Sequence, residues 1–173
     1  IAISSTLYTS YEFPFKNNSL GNVFFSSSEV YSGTQEHYGI KIPTVENVKL
    51  SVRSLKNKRD SYMLSKIYGE AMCFNSNLPF IILRPHNIYG PRMGMSHVIP
   101  ELINKIASTK SKKIYIRNLN HTRSFCYIDD AINMIYLLSK NPKALNDTFN
   151  IGNHREEIKI ISLIKKIINI FNY

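Results

Sequence analysis

The chain has 173 residues, 43% of them hydrophobic, which predicts one folded domain or two small ones and excludes an intrinsically disordered protein. Its 22 lysines and arginines outweigh 12 acidic residues, so the net charge is +10. This charge predicts an anionic partner, namely nucleic acid, a membrane surface or a phosphorylated small molecule. A lysine-rich solvated surface is the plain alternative.

The cysteines and the hydrophobic runs indicate in which cellular compartment we expect the protein. Cys73 and Cys126 lie far apart and in no zinc-binding spacing, so we expect no metal site and a reducing, cytoplasmic location. No apolar run approaches the roughly 20 residues that cross a bilayer, and no leader-like segment opens the chain, so no membrane partner is expected. Because the sequence opens on Ile1 rather than Met, we expect a partial chain.

In the first half of the chain, two short apolar runs are typical of buried strands. The first covers residues 23–28 and the second residues 80–85. Between them, residues 32–58 are predicted to be a loop because glycine and proline interrupt them. Apolar residues then recur at helical spacing over 59–75, with Asp60 or Ser61 as the expected N-cap.

The second half continues the alternation of helices and strands. Helices are predicted over 97–108, 131–140 and 155–171, and strands over 112–118, 123–128 and 148–152. Continuous apolar strands alternating with helices predict an α/β fold with a mostly parallel sheet. Ligands bind beyond the carboxyl ends of such strands, which is where Ser26 to Glu29 and Arg84 to Asn87 lie.

Two groups of side chains could carry chemistry. Tyr62 and Lys66 are four residues apart on one face of the predicted helix, and a nearby ammonium favours a phenolate that can act as a general base. This spacing also arises by chance. The hydroxyls after the first strand could donate to a substrate oxygen, or they could only cap loose backbone groups.

Together, five ordered stretches resemble one family: FFSSSEVYSG, IPTVENVKL, RDSYMLSKIYGE, LRPHNIYGPRMGMSHVIPEL and TRSFCYIDDAI. They are similar to landmarks of the extended short-chain dehydrogenases/reductases, and more narrowly of the NAD-dependent nucleotide-sugar epimerases, dehydratases and decarboxylases. The resemblance implies a partial Rossmann-like, doubly wound parallel sheet with part of a small α/β substrate lobe. Residues 1–90 would be the C-terminal part of the NAD-binding domain. Residues 91–173 would form the partial lobe, with returning Rossmann elements at about 123–152.

The resemblance also implies roles for individual residues. Tyr62 would be the catalytic base and Lys66 its helper and a ligand of the nicotinamide ribose, with Ser27 as the catalytic hydroxyl and Glu29 as a further catalytic candidate. NAD is the implied cofactor and a nucleotide sugar the implied substrate. The cofactor would also be bordered by Ala2, Asn18, Ser26, Pro85 and His86, and the substrate by Ser28, Asn87, His97 and Arg123.

The implied reaction starts when the tyrosine takes a sugar hydroxyl proton while hydride passes to NAD. The dehydratases carry Asp-Glu after the catalytic hydroxyl, whereas this chain has Ser28 and Glu29, so dehydration is disfavoured. Ser-Glu is similar to the UDP-glucuronate decarboxylases, but the later motifs also occur in epimerase-like members. We favour an epimerase, with a decarboxylase-like or dehydratase-like enzyme as the alternative. Dimerisation through a two-helix face is usual in this family, so the resemblance also implies a homodimer, and the helix that carries Tyr62 would be one candidate for the interface.

Several family features do not occur in the sequence. It has no G-x-x-G-x-x-G turn to approach a pyrophosphate, and Val23 follows Asn18-x-x-Gly21 almost at once, where relatives have a helix. The chain also stops at Tyr173, earlier than relatives do. We therefore expect poor NAD affinity in this chain alone and an uncovered sheet edge at residues 23–25 and 80–83.

The missing helix leaves one further hypothesis open, and the net charge of +10 leaves another. One is a degraded, non-functional product of a larger gene. The other is a non-catalytic module of the same fold that uses its basic surface on nucleic acid. Because the sequence has no basic run interleaved with aromatic residues, nucleic acid is not the expected partner.

Overall fold

The computed structural model describes residues 10–14, 20–109, 113, 115, 116 and 118–171. The chain forms two compact units. One comprises Ile1–His86 and Asp129–Ile151, and the other comprises Asn87–Ile128 and Gly152–Tyr173.

The first unit is built on a four-stranded sheet of β1 (Ser10–Pro14), β2 (Leu20–Phe25), β3 (Phe80–Pro85) and β7 (Asp147–Ile151), in that order. Its inner pairs, β2 with β3 and β3 with β7, are parallel, as the α/β pattern predicts. The buried side chains of Val23, Ile81 and Leu83 show why these strands are continuous apolar runs.

The predicted open edge beside β2 is wrong. β1 pairs antiparallel with β2 from Ser10 opposite Phe24 to Pro14 opposite Leu20, so the backbone groups of β2 find partners on that side. β3 lies between β2 and β7 and has no free edge either. A strand from the Ser/Tyr-rich beginning of the chain therefore covers the edge that the predicted strands alone would leave open.

The first unit also contains helices and 3-10 turns. A 3-10 turn (Ser28–Tyr31) follows β2 and leads into α1 (Ser32–Tyr38), so the predicted loop over 32–58 is wrong at its start. α2 (Lys58–Phe74) confirms the long predicted helix, but its N-cap is Asn57 rather than Asp60 or Ser61. A capping box explains the shift, because Asp60 is the residue whose side chain reaches back to the Asn57 backbone. α4 (Ile128–Ser139) and a 3-10 turn (Pro142–Ala144) precede β7.

The second unit packs two helices into a small core. α3 (Val98–Ser108) and α5 (Ile160–Ile170) bury Leu102, Ile106, Ile160, Ile164 and Ile167 against one another. Two short sheets accompany them. β4 (Ile88–Tyr89) pairs parallel with β6 (Cys126–Tyr127), and β5 (Thr122–Ser124) pairs antiparallel with β8 (Glu157–Lys159).

Three expectations for the second unit need correction. The predicted strand over 112–118 is not seen at Lys113, Tyr115 or Ile116, the positions between 110 and 117 that the structure describes. The strand over 123–128 is split into β5 and β6, which join different sheets. The last helix starts only at Ile160, because the preceding residues pair as β8 with β5.

The described part of the chain contains no helix long and apolar enough to cross a membrane. Among those same residues, no group of three or more histidine, cysteine or acidic side chains is placed to hold a metal ion.

Candidate active site

The stripe of α2 that carries Tyr62 and Lys66 runs from the surface into the core. Tyr62, Lys66 and Glu70 follow one another at intervals of four residues, which places them on one helix face. Their exposed fractions fall from 45% to 6% and then to 2%. The phenol is thus open to a ligand, while the two charged groups behind it are enclosed by protein.

Lys66 joins this helix to the end of β2. Its Nζ donates to the backbone oxygen of Phe25 at 2.8 Å and lies 5.6 Å from the centre of the Tyr62 ring. Burial lowers the pKa of the Lys66 ammonium, because the charged form loses water. The structure therefore brings together the Tyr and Lys that the sequence pairs, with a cation close to the phenol.

Ser27 and Ser28 carry the hydroxyls at the start of the 3-10 turn that follows β2. Ser27 is the N-cap of the 3-10 turn, and its Oγ accepts from the Glu29 backbone N–H at 3.2 Å. This is the capping role that serines at strand ends commonly fill, but a hydroxyl that accepts one bond still has its proton to donate. Ser28, the first residue of the turn, is half-buried.

The Glu29 carboxylate forms an ion pair with a residue of α2. Its Oε1 accepts from Nη2 of Arg59 at 2.8 Å, and its Oε2 makes a long 3.5 Å contact with Oγ of Ser32. Arg59 stands three residues before Tyr62, so this ion pair joins the 3-10 turn to the first turn of the helix. The pair is partly exposed, and such pairs add little stability.

Ser26 points to a buried charge. Its Oγ donates to Oε1 of Glu70 at 2.5 Å, and both residues are almost fully buried. Glu70 in turn accepts two bonds from Arg84 of β3, from Nε at 2.8 Å and from Nη2 at 2.6 Å. This is a two-bond pairing of guanidinium and carboxylate, with both side chains enclosed.

The other side of Arg84 reaches the 3-10 turn and a loop. Nη1 donates to the Tyr31 hydroxyl at 2.6 Å and to the Glu46 backbone oxygen at 2.9 Å. Tyr31 donates onward to Oδ1 of Asn150 on β7 at 2.9 Å. Burial raises the pKa of the Tyr31 phenol, although the hydrogen bond from Arg84 opposes that rise.

The remaining predicted cofactor residues are distributed as follows. Pro85 ends β3 and His86 follows it, exposed, with its backbone N–H donating to the Ile151 oxygen at 2.9 Å. Both lie at the carboxyl end of the parallel strands, where the pattern places a ligand. Ala2 and Asn18 lie outside the described residues.

The predicted substrate residues after His86 belong to the second unit. Asn87 adopts a left-handed backbone with φ of 43°, and its Nδ2 donates to the Ser124 oxygen at 3.0 Å. His97 is the exposed N-cap of α3. Arg123 is exposed on β5 and lines a groove of about 420 Å³ together with Lys105 and His121.

The sequence-based prediction missed Glu70, Arg84 and Tyr31, which form the buried part of this region. Two signals could have found Glu70 and Arg84. Glu70 continues the stripe of Tyr62 and Lys66 by one more turn, and Arg84 is a charge at the end of an apolar strand. A charge that is enclosed in a fold requires a partner, so the two together predict an ion pair.

Comparison with known proteins identifies relatives across most of the chain. The model of the NAD dependent epimerase/dehydratase family matches residues 16–152. The chain is 32% identical over 153 residues to a dTDP-D-glucose 4,6-dehydratase of Dictyostelium discoideum, covering 86% of this chain and 34% of that protein. It is 30% identical over 145 residues to an uncharacterized UDP-glucose epimerase of Bacillus subtilis, covering 80% and 44%.

A solved structure with the same fold is the UDP-glucuronic acid 4-epimerase of Bacillus cereus, in complex with UDP-glucuronic acid and NAD. The TM-score is 0.67 at 26% identity, and the match covers 88% of this chain and 46% of that one. The chain therefore spans between about a third and a half of the length of these relatives.

Proposed function

Because the chain belongs to the NAD-dependent epimerase/dehydratase family, we propose that it supplies the catalytic residues of an NAD-dependent nucleotide-sugar epimerase. The observation that carries this proposal is the placement of Lys66, which is buried, bound to the Phe25 oxygen and close to the ring of the half-exposed Tyr62. An ammonium so placed stabilises a phenolate, and a phenolate is the base that the first step requires.

In the proposed reaction, Tyr62 takes the proton from a sugar hydroxyl and later returns it. Ser27 donates a hydrogen bond to the same sugar oxygen, using the proton that its capping contact leaves free. Lys66 stabilises the negative charge that Tyr62 bears before proton transfer. Ser28, Asn87, His97 and Arg123 are proposed to bind the nucleotide sugar, with the Arg123 guanidinium on a phosphate.

The residues present fit one end of the cofactor. The Lys66 ammonium has three N–H donors, of which the Phe25 oxygen takes one, so it retains donors for ribose hydroxyls. Tyr62, Pro85 and His86 would border the nicotinamide, which when bound supplies a reversible acceptor for hydride. Ser26 fits less well, because its hydroxyl is engaged with Glu70 in the interior. The sequence contains no glycine-rich turn for the pyrophosphate.

The side chains after Ser27 favour epimerisation over loss of water. Expelling a hydroxyl needs an acid that gives it a proton, and Ser28 stands where dehydratases have aspartate. Glu29, the nearest carboxylate in sequence, is held by Arg59 and contacts Ser32. A dehydratase is the second candidate, because the Dictyostelium relative is a dTDP-D-glucose 4,6-dehydratase.

The test uses protein expressed from its full reading frame, with NAD and a panel of UDP- and dTDP-sugars. An epimer as product supports the proposal, whereas a 4-keto-6-deoxy sugar indicates the dehydratase and release of carbon dioxide from UDP-glucuronate indicates a decarboxylase. We expect Tyr62→Phe to lower kcat by about 100-fold or more, because general-base catalysis contributes about 10² to 10⁴.

Tyr68→Phe is the matched control, since Tyr68 is an exposed tyrosine of the same helix and has no proposed role. It should keep the kcat of the parent protein. Full activity in Tyr62→Phe would contradict the assignment of the base.

A further inference from the structure

We propose that Glu70 and Arg84 are a positioning pair that fixes where α2 presents Tyr62 and Lys66 relative to Ser27. The inference rests on the proposed function, because it assigns these two residues to the same site. Neither is a catalytic residue, since both are enclosed by protein and act through their neighbours.

The geometry consists of two anchors, one helical turn apart. Lys66 holds the backbone oxygen of Phe25, and Glu70 holds the hydroxyl of Ser26, the next residue along the chain. Ser27 follows directly. Because two consecutive residues of the strand end are each bound to a different turn of α2, the helix cannot slide or rotate without breaking one of these bonds.

Arg84 fixes the orientation of the Glu70 carboxylate, which is the second anchor. Its Nε and Nη2 bind the two oxygens of Glu70 side by side, and a two-bond pair of this kind fixes orientation as well as distance. A single hydrogen bond would allow the carboxylate to swing, whereas the fork of the guanidinium holds its plane. The position of α2 is thereby fixed relative to β3, which bears Arg84.

Arg84 is itself held from the opposite side. The Tyr31 hydroxyl accepts from Nη1 of Arg84 and donates to Oδ1 of Asn150 on β7. The Glu46 backbone oxygen also accepts from Nη1 of Arg84. The guanidinium therefore cannot follow a displaced helix. The network links α2, the 3-10 turn, β3 and β7 around one buried cation.

Stability alone does not explain a buried ion pair at this place, because apolar side chains of similar volume often stabilise a fold as well or better. A pair that fixes geometry is better explained, since misplacing a reacting group by about 1 Å can cost on the order of 100-fold in rate. We therefore expect the loss of the pair to affect the rate of the chemical step beyond its effect on folding.

The experiment compares Glu70→Gln with Ile81→Val and Ile81→Ala in the protein expressed from its full reading frame. The glutamine keeps the shape, but one of its two terminal atoms is an NH2 donor that cannot accept from an Arg84 nitrogen. Ile81 is buried on β3, and by strand alternation its side chain faces away from Arg84. Its two variants should therefore give one smaller and one larger loss of Tm than Glu70→Gln while leaving the pair of Glu70 and Arg84 intact. We expect Glu70→Gln to lower kcat by about tenfold or more with little change in KM, and more than an Ile81 variant of equal Tm.

A second readout needs no turnover. With ring-labelled tyrosine, the Tyr62 resonance is identified among those of the other tyrosines by its loss in Tyr62→Phe. It should shift in Glu70→Gln and stay in place in the Ile81 variants. If the parent protein proves inactive, the proposed function fails while this resonance still decides the positioning role.

Ser26→Ala covers the case in which Glu70→Gln does not fold. It removes only one hydrogen bond of the network, so the fold should persist while the Tyr62 resonance shifts and kcat falls by a smaller factor. An unmoved Tyr62 resonance in the folded variants, or a kcat equal to that of the Ile81 variant of the same Tm, would overturn the proposal.

Discussion

At the scale of single residues, the pKa of the Cys73 thiol reflects the packing of α2 on the sheet. Cys73 lies against the cluster of Phe24, Phe80 and Ile82, and burial, with a smaller contribution from the Glu70 charge, raises the pKa of its thiol to about 11. The folded chain thus binds the Cys73 proton more tightly than the unfolded chain does. This adds stability below pH 9, which is lost as the pH rises through 11.

We predict that the stability advantage of the parent protein over Cys73→Ala shrinks between pH 9 and pH 11. The shift of about two pKa units sets an upper limit of roughly 2 to 3 kcal/mol, and the partial exposure of Cys73 reduces it. Urea unfolding of both proteins under reducing conditions at pH 7, 9, 10 and 11 measures the difference. Since all other groups are shared, a difference that does not change with pH would contradict the prediction.

Local spacing in the sequence predicted that Tyr62 and Lys66 lie together, but it did not predict the contacts of Arg84. Tyr62 and Lys66 are four apart on one helix, so local spacing alone places them together. The partners of Arg84 are 14, 38 and 53 positions away in sequence, and only the folded sheet brings them to one guanidinium. A pattern of local spacing carries no information on such long-range contacts.

At the scale of elements, the approach of α2 to β2 depends on Gly69. A Cβ at this position would lie 2.2 Å from the ring of Phe24, so the helix can come this close only without a side chain there. The same ring lies 5.4 Å from the Lys66 ammonium. The glycine thus helps to bring Lys66 within reach of the strand end.

We predict that Gly69→Ala destabilises the protein by about 1 kcal/mol. Alanine gains about 1 kcal/mol of helix propensity, but overpacking against Phe24 costs about 1 to 3 kcal/mol. In a Phe24→Leu background the ring is absent, so the same substitution should become neutral or stabilising. A double-mutant cycle by urea unfolding measures this coupling, and equal losses in the two backgrounds would contradict the proposed clash.

Elements with local signals were the ones that could be predicted. α2 has helical periodicity and a capping box from Asn57 to Asp60, and β3 is a continuous apolar run. By contrast, α1 has no apolar periodicity, and its buried residues are Gly33 and Thr34. Its position depends on a close approach to the backbone around Ser51, a contact that no local pattern reveals.

At the scale of the whole molecule, β1 shows the limit of arguing from resemblance. The family pattern led to an open edge beside β2, but the antiparallel pairing of β1 occupies that side. The sequence predicted β2, β3 and β7 as strands of a mostly parallel sheet, whereas it predicted no strand over the residues of β1. The pairing of β1 satisfies backbone groups of β2, which depends little on side-chain identity.

The net charge of +10 leaves two kinds of anionic partner to separate, a polyanion or a single nucleotide diphosphate. A non-specific polyanion is bound by the sum of positive charges, so removing any one exposed arginine should weaken it about equally. A nucleotide diphosphate is bound by particular donors, so only the arginine that contacts it should matter. Arg123 and Arg155 are both exposed, and replacing either by glutamine leaves the same net charge.

We therefore predict that Arg123→Gln weakens UDP binding by about tenfold or more, as expected for one charge-assisted hydrogen bond, whereas Arg155→Gln changes it less than about twofold. Calorimetric titration of UDP at low and moderate salt measures both, and poly(U) titrated in parallel should respond equally to the two substitutions. If Arg155→Gln weakened UDP binding as much as Arg123→Gln does, the +10 charge would be acting as a diffuse field and the proposed phosphate-binding role of Arg123 would be wrong.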